Sequence, residues 1–572
     1  ETVVSDNLAQ LPAQSGESYD KIMAELAGTG SKGIELLVNM LRPAEEADNS
    51  RAEYAIDGIV NYVSAPGREA LRRPVHDALA EALARVDDVN NKAFVLSQLN
   101  KITVPSDFSL YKGLLADKNL ASYAASGLCT MPDIDAQLAE LIDNASAPSA
   151  ELAHIAYYRQ LPGVESVLLS WAVSGDKAVS EAALNALSVC GSAASLKTLK
   201  TAAPDAYLQL LARLGTDKAV VKEAKELIKN KNNEAMRCAG LRLLLVSEPA
   251  KAAENIVKAL KDGSAQYRHT ALVNAIPAAG EGIVSVIAAN YSKLPENSKI
   301  DVMRWLGDIH TSAQIGLVTS AIASSNSTLA VAAVEAASKI GTPRALDAIL
   351  PLLGTDGVLS LAAAKALLTF NGNISQGVIS CLKSDNPNTL RAALSLASAR
   401  HIHGAWNDVV ALTQSSLPGV ADEAYKALDG VASAANLSEL SGMLQAAAPS
   451  TVPMIQRAML SALAPESPSA QYDTVSRLMS LAKNPSLYYP MLAQAGTPDA
   501  VEALVGGFEG NSHSAALQAL LMVENPHARD TIFSLASKSS GAERDALLGR
   551  WLTLVNNSGL TLAQAYTAYS RA

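Results

Sequence analysis

The apolar positions of residues 327–356, STLAVAAVEAASKIGTPRALDAILPLLGTD, fall into two helical sets with a short break between them. Leu329, Ala333, Val334, Ala337 and Ile340 recur at helical spacing, as do Leu346, Ile349, Leu350 and Leu353. Each set predicts a helix with one apolar face. The break, Gly341-Thr342-Pro343, predicts its own geometry. Glycine ends the first helix by accepting a left-handed backbone. The threonine hydroxyl caps the second helix. Proline fits the first helical position, where no N–H is needed.

The same unit recurs at 176–200, 264–290, 357–383, 387–414 and 420–446, and the turn returns at Gly496-Thr497-Pro498 and Gly215-Thr216-Asp217. Leu394 and Tyr425 occupy equivalent positions one unit apart (425 − 394 = 31) and Val334 lies two units before Leu394 (394 − 334 = 60). The period near 30 residues predicts on the order of 17–18 helical pairs. Sustained strand-like alternation is missing, and the single Asn371-Gly372 pair follows the helical run LAAAKALLTF. It therefore predicts a turn between helices.

One such pair cannot bury both of its faces, so neighbouring pairs must stack. The predicted fold is all-α: a right-handed α-solenoid in which residues 1–17 form a polar lead-in and residues 18–572 one continuous array. The irregular stretches 43–50, 144–150 and 464–470 read as long inter-repeat loops, with joints between subarrays as the alternative. The hairpin AAVEAASKIGTPRALDAIL resembles the HEAT/armadillo-like repeat family, over nearly the whole chain. That resemblance implies an interaction scaffold. A period below the usual ~40 residues of HEAT repeats implies tight turns. The texture of AAVEAASKIGTPRAL also resembles the repeat regions of secreted bacterial proteins that carry a 3-keto-disaccharide-hydrolase-type domain. This implies an alternative, in which the chain is the non-catalytic part of a larger carbohydrate-processing enzyme. The polar start at Glu1, without methionine, reads as trimmed and favours a periplasmic or extracellular setting.

Composition narrows the function. The chain is 49% hydrophobic but only 4% aromatic, which suits closely packed helices, and its net charge of −10 repels phosphate backbones. A nucleic-acid partner is not expected. A protein partner, or an appended domain of the same polypeptide, is. No apolar run reaches the roughly 18 residues of a membrane span. Cys129, Cys190, Cys238 and Cys381 are far apart, form no CxxC pair and read as inert thiols in apolar helices.

RHIHGAW, 400–406, gathers the most chemistry, and an enzyme site on the solenoid face would centre on it. His401 and His403 are candidate metal ligands. Two histidines are too few for zinc, which needs at least three protein ligands. Shifted by two repeats, His401 falls on Gly341, His403 on Pro343 and Trp406 on Leu346. The histidines thus belong in a capping turn and Trp406 in the packing of the second helix. No histidine precedes a glutamate, so the His-Glu pairs by which HEAT-like deoxyhypusine hydroxylases bind iron are absent.

Gly28-Thr29-Gly30-Ser31-Lys32-Gly33 matches GxGxxG, but the segment before it, SYDKIMAELA, is helical where a dinucleotide site needs a strand. It predicts a hairpin turn. His76-Asp77 are neighbours on a predicted helix, and such neighbours point apart. Lys218, Lys222, Lys225 and Lys229 share one helix face and form a candidate docking ridge for an acidic partner. Tyr157-Tyr158, Tyr488-Tyr489, Tyr566 and Tyr569 are either binding anchors or half-buried spacers. No catalytic residue, cofactor site or cofactor is predicted.

Overall fold

A computed structural model describes residues 1–43 and 45–570. Residue 44 of the 43–50 stretch and residues 571–572 of the expected array lie outside the described residues. The rest is all-α: 38 α-helices and no strand among the described residues. Two helices have no counterpart in the expected pairs, and the other 36 make 18 pairs (36/2). One of the two is Thr2–Ala9, inside the stretch read as a polar lead-in. Its Val4, with Leu11 just beyond, is buried, so the start of the chain is a packed helix rather than an extension. The other arises where one first helix divides into Ala265–Val273 and Ala275–Ala279. Pro277 sits four residues after Val273, where its ring excludes a continuous helix.

Contacts divide the chain into two compact units, Glu1–Asn255 and Ile256–Ala572. That boundary lies away from the irregular stretches 43–50, 144–150 and 464–470. Within the second unit, first helices begin at Ser327, Val358, Pro387, Val420 and Val452, or 31, 29, 33 and 32 residues apart. Successive first helices pack on each other, as Ser327–Ile340 does on Glu296–Asp308 and Val420–Val431 does on Pro387–Ala399. In the first unit, Lys177–Cys190 packs in the same way between Ala150–Arg159 and Pro204–Leu214. In several pairs the two helices are unequal. Lys177–Cys190 and Ser327–Ile340 run 14 residues, whereas their partners Leu196–Ala202 and Pro343–Ile349 run seven, as do Ser375–Cys381 and Trp406–Leu412 beside first helices of 11 and 13 residues. In these pairs the short period comes from second helices of two turns as well as from tight loops, whereas Glu69–Leu83, Lys218–Lys229 and Pro468–Ser480 are longer second helices.

The turn chemistry matches its prediction. Gly341 has φ 72°, and the Thr342 hydroxyl accepts the Ala345 N–H at 3.2 Å. Gly496 (φ 57°) and Thr497 repeat this, with the Ala500 N–H at 3.2 Å. At Gly215-Thr216-Asp217 the cap moves one residue along, to Asp217, which accepts the Ala219 N–H at 2.7 Å. Close approach of first helices depends on glycine. A Cβ on Gly430 would fall onto the Ser398 backbone, and one on Gly307 onto Ala336.

Candidate interaction surface

RHIHGAW sits at the end of the Pro387–Ala399 helix, and it bonds in two directions. Arg400 reaches back to the preceding pair, donating to the carbonyls of Leu368 at 2.9 Å and Gly372 at 3.2 Å. His401 and His403 reach forward, each donating from Nδ1: to Gly430 at 3.2 Å and to Val431 at 3.1 Å. Those carbonyls end the Val420–Val431 helix. The histidines thus satisfy the next pair's helix end, not that of their own helix. Because a carbonyl only accepts, Nδ1 carries the proton in both rings. His401 stands at φ 50°, the left-handed conformation its alignment with Gly341 predicts. Trp406 is buried as expected, and its indole N–H also donates to Glu439 at 2.6 Å.

The two histidines line a cleft of about 670 Å³ with Asp429, Ser433 and Glu466. Among the described residues, no group of three or more His, Cys, Asp or Glu is placed to hold a metal ion. The donors of RHIHGAW are taken up in joining three successive pairs. The same device recurs elsewhere. Arg159 donates to Cys129 and Met131 at 3.1 and 2.7 Å, Arg550 to Met522 and Val523 at 2.8 Å each, and His310, also left-handed, to Lys339 at 2.8 Å. Each supplies a donor to carbonyls that a helix end leaves free.

His76 overturns its sequence reading. It is buried in the Glu69–Leu83 helix, with Nδ1 2.8 Å from Asp77 and Nε2 2.8 Å from Asp107. Adjacent helical side chains diverge from their Cβ atoms. Here the imidazole is long enough, and Asp77 turns back far enough, for the two to meet. The hydrogen bond to Asp107 raises the His76 pKa above its ordinary value against the opposing effect of burial, and Asp77 adds to the rise. Asp107 is itself buried and also accepts the Val104 N–H at 3.0 Å. The network runs from the buried Asp107 and His76 to the half-exposed Asp77, which also pairs with the exposed Arg73 at 2.9 Å.

The lysine ridge lies on the helix Lys218–Lys229, whose other side buries Val220, Ala224 and Leu227. All four lysines are exposed. Lys225 pairs with Glu248 at 3.0 Å and Lys229 with Glu226 at 2.7 Å. Lys218 and Lys222 have no ion pair among the described residues.

The remaining candidates resolve simply. Gly28 ends one helix and Gly30 begins the next, so GxGxxG is a hairpin turn. Tyr488 and Tyr489 are buried, with the Tyr488 hydroxyl 2.6 Å from that of Ser441, while Tyr157, Tyr158, Tyr566 and Tyr569 are exposed. All four cysteines are free thiols, and burial pushes Cys129 and Cys190 up to about 11, which keeps them protonated.

The fold defines the chain as an array of stacked helical pairs. No family model matches it, and no curated protein matches it. Among solved structures it is similar to the karyopherin Kap121p bound to the SUMO protease Ulp1p, at 11% identity and a TM-score of 0.31 over 100% of this chain and 79% of that one. It is also similar to importin beta, at 14% identity and a TM-score of 0.25 over 98% and 77%.

Proposed function

We propose that the chain is a non-catalytic interaction scaffold that docks an acidic protein partner on the Lys218–Lys229 helix. The observation behind this reading is the uneven pairing of the ridge. Two of its lysines are engaged by glutamates, whereas Lys218 and Lys222 stand exposed with no ion pair among the described residues, Lys222 acting on Glu223 only through its charge, on a chain of net charge −10. An exposed, unpaired cation on an acidic protein steers association with a negatively charged surface. The histidine turn and the His76 network take up their polar groups internally, which favours a structural role for both.

The test is a capture experiment with the full chain and a Lys218→Glu/Lys222→Glu variant, followed by titration calorimetry with each purified partner. A partner bound by the wild type and weakened at least tenfold by the double reversal supports the reading. Equal affinity for both proteins rejects the ridge as the docking site.

A further inference from the structure

Within the first unit, the row of first helices is loosest at one place. Lys177–Cys190 packs along Pro204–Leu214, but Pro204–Leu214 and the following first helix, Glu234–Ser247, touch at few positions. The cause is local. Gly240 lets Glu234–Ser247 settle onto the Lys218–Lys229 helix, since a Cβ there would strike the Ala224 carbonyl and the Leu227 side chain. Held against that helix, Glu234–Ser247 stands off from Pro204–Leu214.

The gap is a trough of about 340 Å³ walled by Leu208, Leu211, Ala212, Leu243 and Val246. Val246 is 58% exposed, so the trough is open to solvent. It has one charged side chain, Arg242, which is exposed, has no ion pair among the described residues and has no carboxylate beside it in the lining. The clefts at 398–466 and 108–152, by contrast, each include at least one acid.

From this geometry we infer that the trough is the docking site for an amphipathic helix of a partner protein, with apolar anchors at i, i+3 or i+4, and i+7 and a carboxylate placed to meet Arg242. An open trough cannot bury most of a small ligand's surface, as ligand pockets do. A helix brings its own cover and seats its anchors in such a groove. The unmatched guanidinium selects an acidic helix over a basic one, because it binds a carboxylate in a bidentate manner. The inference rests on the scaffold reading but not on the lysine ridge.

The probe is a fluorescein-labelled peptide of about 16 residues, between four and five helical turns, with Leu at the three anchor positions and Glu flanking them. Its controls carry Lys in place of Glu, or the same composition scrambled. Fluorescence anisotropy with the full chain is expected to show binding of the Glu peptide alone. Arg242→Glu is expected to weaken it at least tenfold, and Ala239→Trp, which fills the trough from a half-buried position, to abolish it. Circular dichroism melts matching the wild type confirm that both variants fold. The proposal is overturned by any of three results: no binding of the Glu peptide, unchanged affinity in Arg242→Glu, or equal loss in Lys218→Glu/Lys222→Glu. The last would mean general charge attraction rather than a seated helix. Loss of a natural partner on ridge reversal, with peptide binding intact, would separate the two sites.

Discussion

Arg400 and His401 are consecutive in the chain, yet their side chains serve opposite neighbours: Arg400 the Leu368 carbonyl behind it, His401 the Gly430 carbonyl ahead. The left-handed backbone at His401 makes this divergence feasible, because it turns the chain between the two side chains. Replacing either residue unties one join and spares the other. Arg400→Ala is expected to lower stability by about 1–3 kcal/mol, the cost of leaving carbonyls without their charged donor. His401→Ala loses the ring and keeps a left-handed non-glycine residue, whereas His401→Gly loses only the ring. Urea unfolding should therefore rank His401→Gly above His401→Ala by about 1 kcal/mol.

The His76 network gives a pH dependence of definite sign. With its pKa raised in the fold, His76 contributes its full stabilisation below the unfolded value near 6.5 and loses it as pH rises through the higher folded value. Asp107→Asn removes the main cause of the shift. The melting temperature of the wild type should exceed that of Asp107→Asn most near pH 6, with the difference shrinking toward pH 9. A difference that widens with rising pH would contradict the assignment of a charged His76.

Two glycine-to-alanine changes should act in opposite directions. Gly430→Ala drives a methyl group into the Ser398 backbone, which has no rotamer to escape into, and should cost about 2 kcal/mol or more. Gly442 lies within the helix Leu437–Ala446 with open space around it, so Gly442→Ala should stabilise by about 0.5–1 kcal/mol. Thermal melts of the two variants check both signs.

Trp406→Phe keeps most of the buried ring and removes the donor to Glu439. The expected loss is about 1.5 kcal/mol, typical of a hydrogen bond to a charged group. Adding Glu439→Gln should cost little more, since the two changes remove one interaction, and a double-mutant cycle measures that coupling.

The helical pairs were legible because their signals are local. Gly341-Thr342-Pro343 states a stop, a cap and a start within three residues, and the periodicity placed His401 in the left-handed turn. The joins were not legible, because donor and acceptor lie a full repeat apart and the acceptor is a backbone carbonyl, which has no residue identity. His76 illustrates the same limit. Its partner Asp107 is 31 residues away, and no pattern marks it. The trough at Arg242 was hidden for another reason. It exists because two helices that could have packed do not, and the cause is a single small residue, Gly240, on the opposite side of one of them.

The joins between turns also measure distance along the gene. Arg159, Gln494 and Arg550 reach carbonyls 27 to 34 residues earlier, close to one repeat. Duplication or loss of one whole pair leaves each such donor facing an equivalent carbonyl. An insertion of a single residue within a first helix instead swings the downstream donor by roughly 100° about the axis. Adding or removing a whole pair therefore keeps the joins, whereas changes of one or a few residues are accommodated in the connecting loops, where the spacing already varies between 29 and 33 residues.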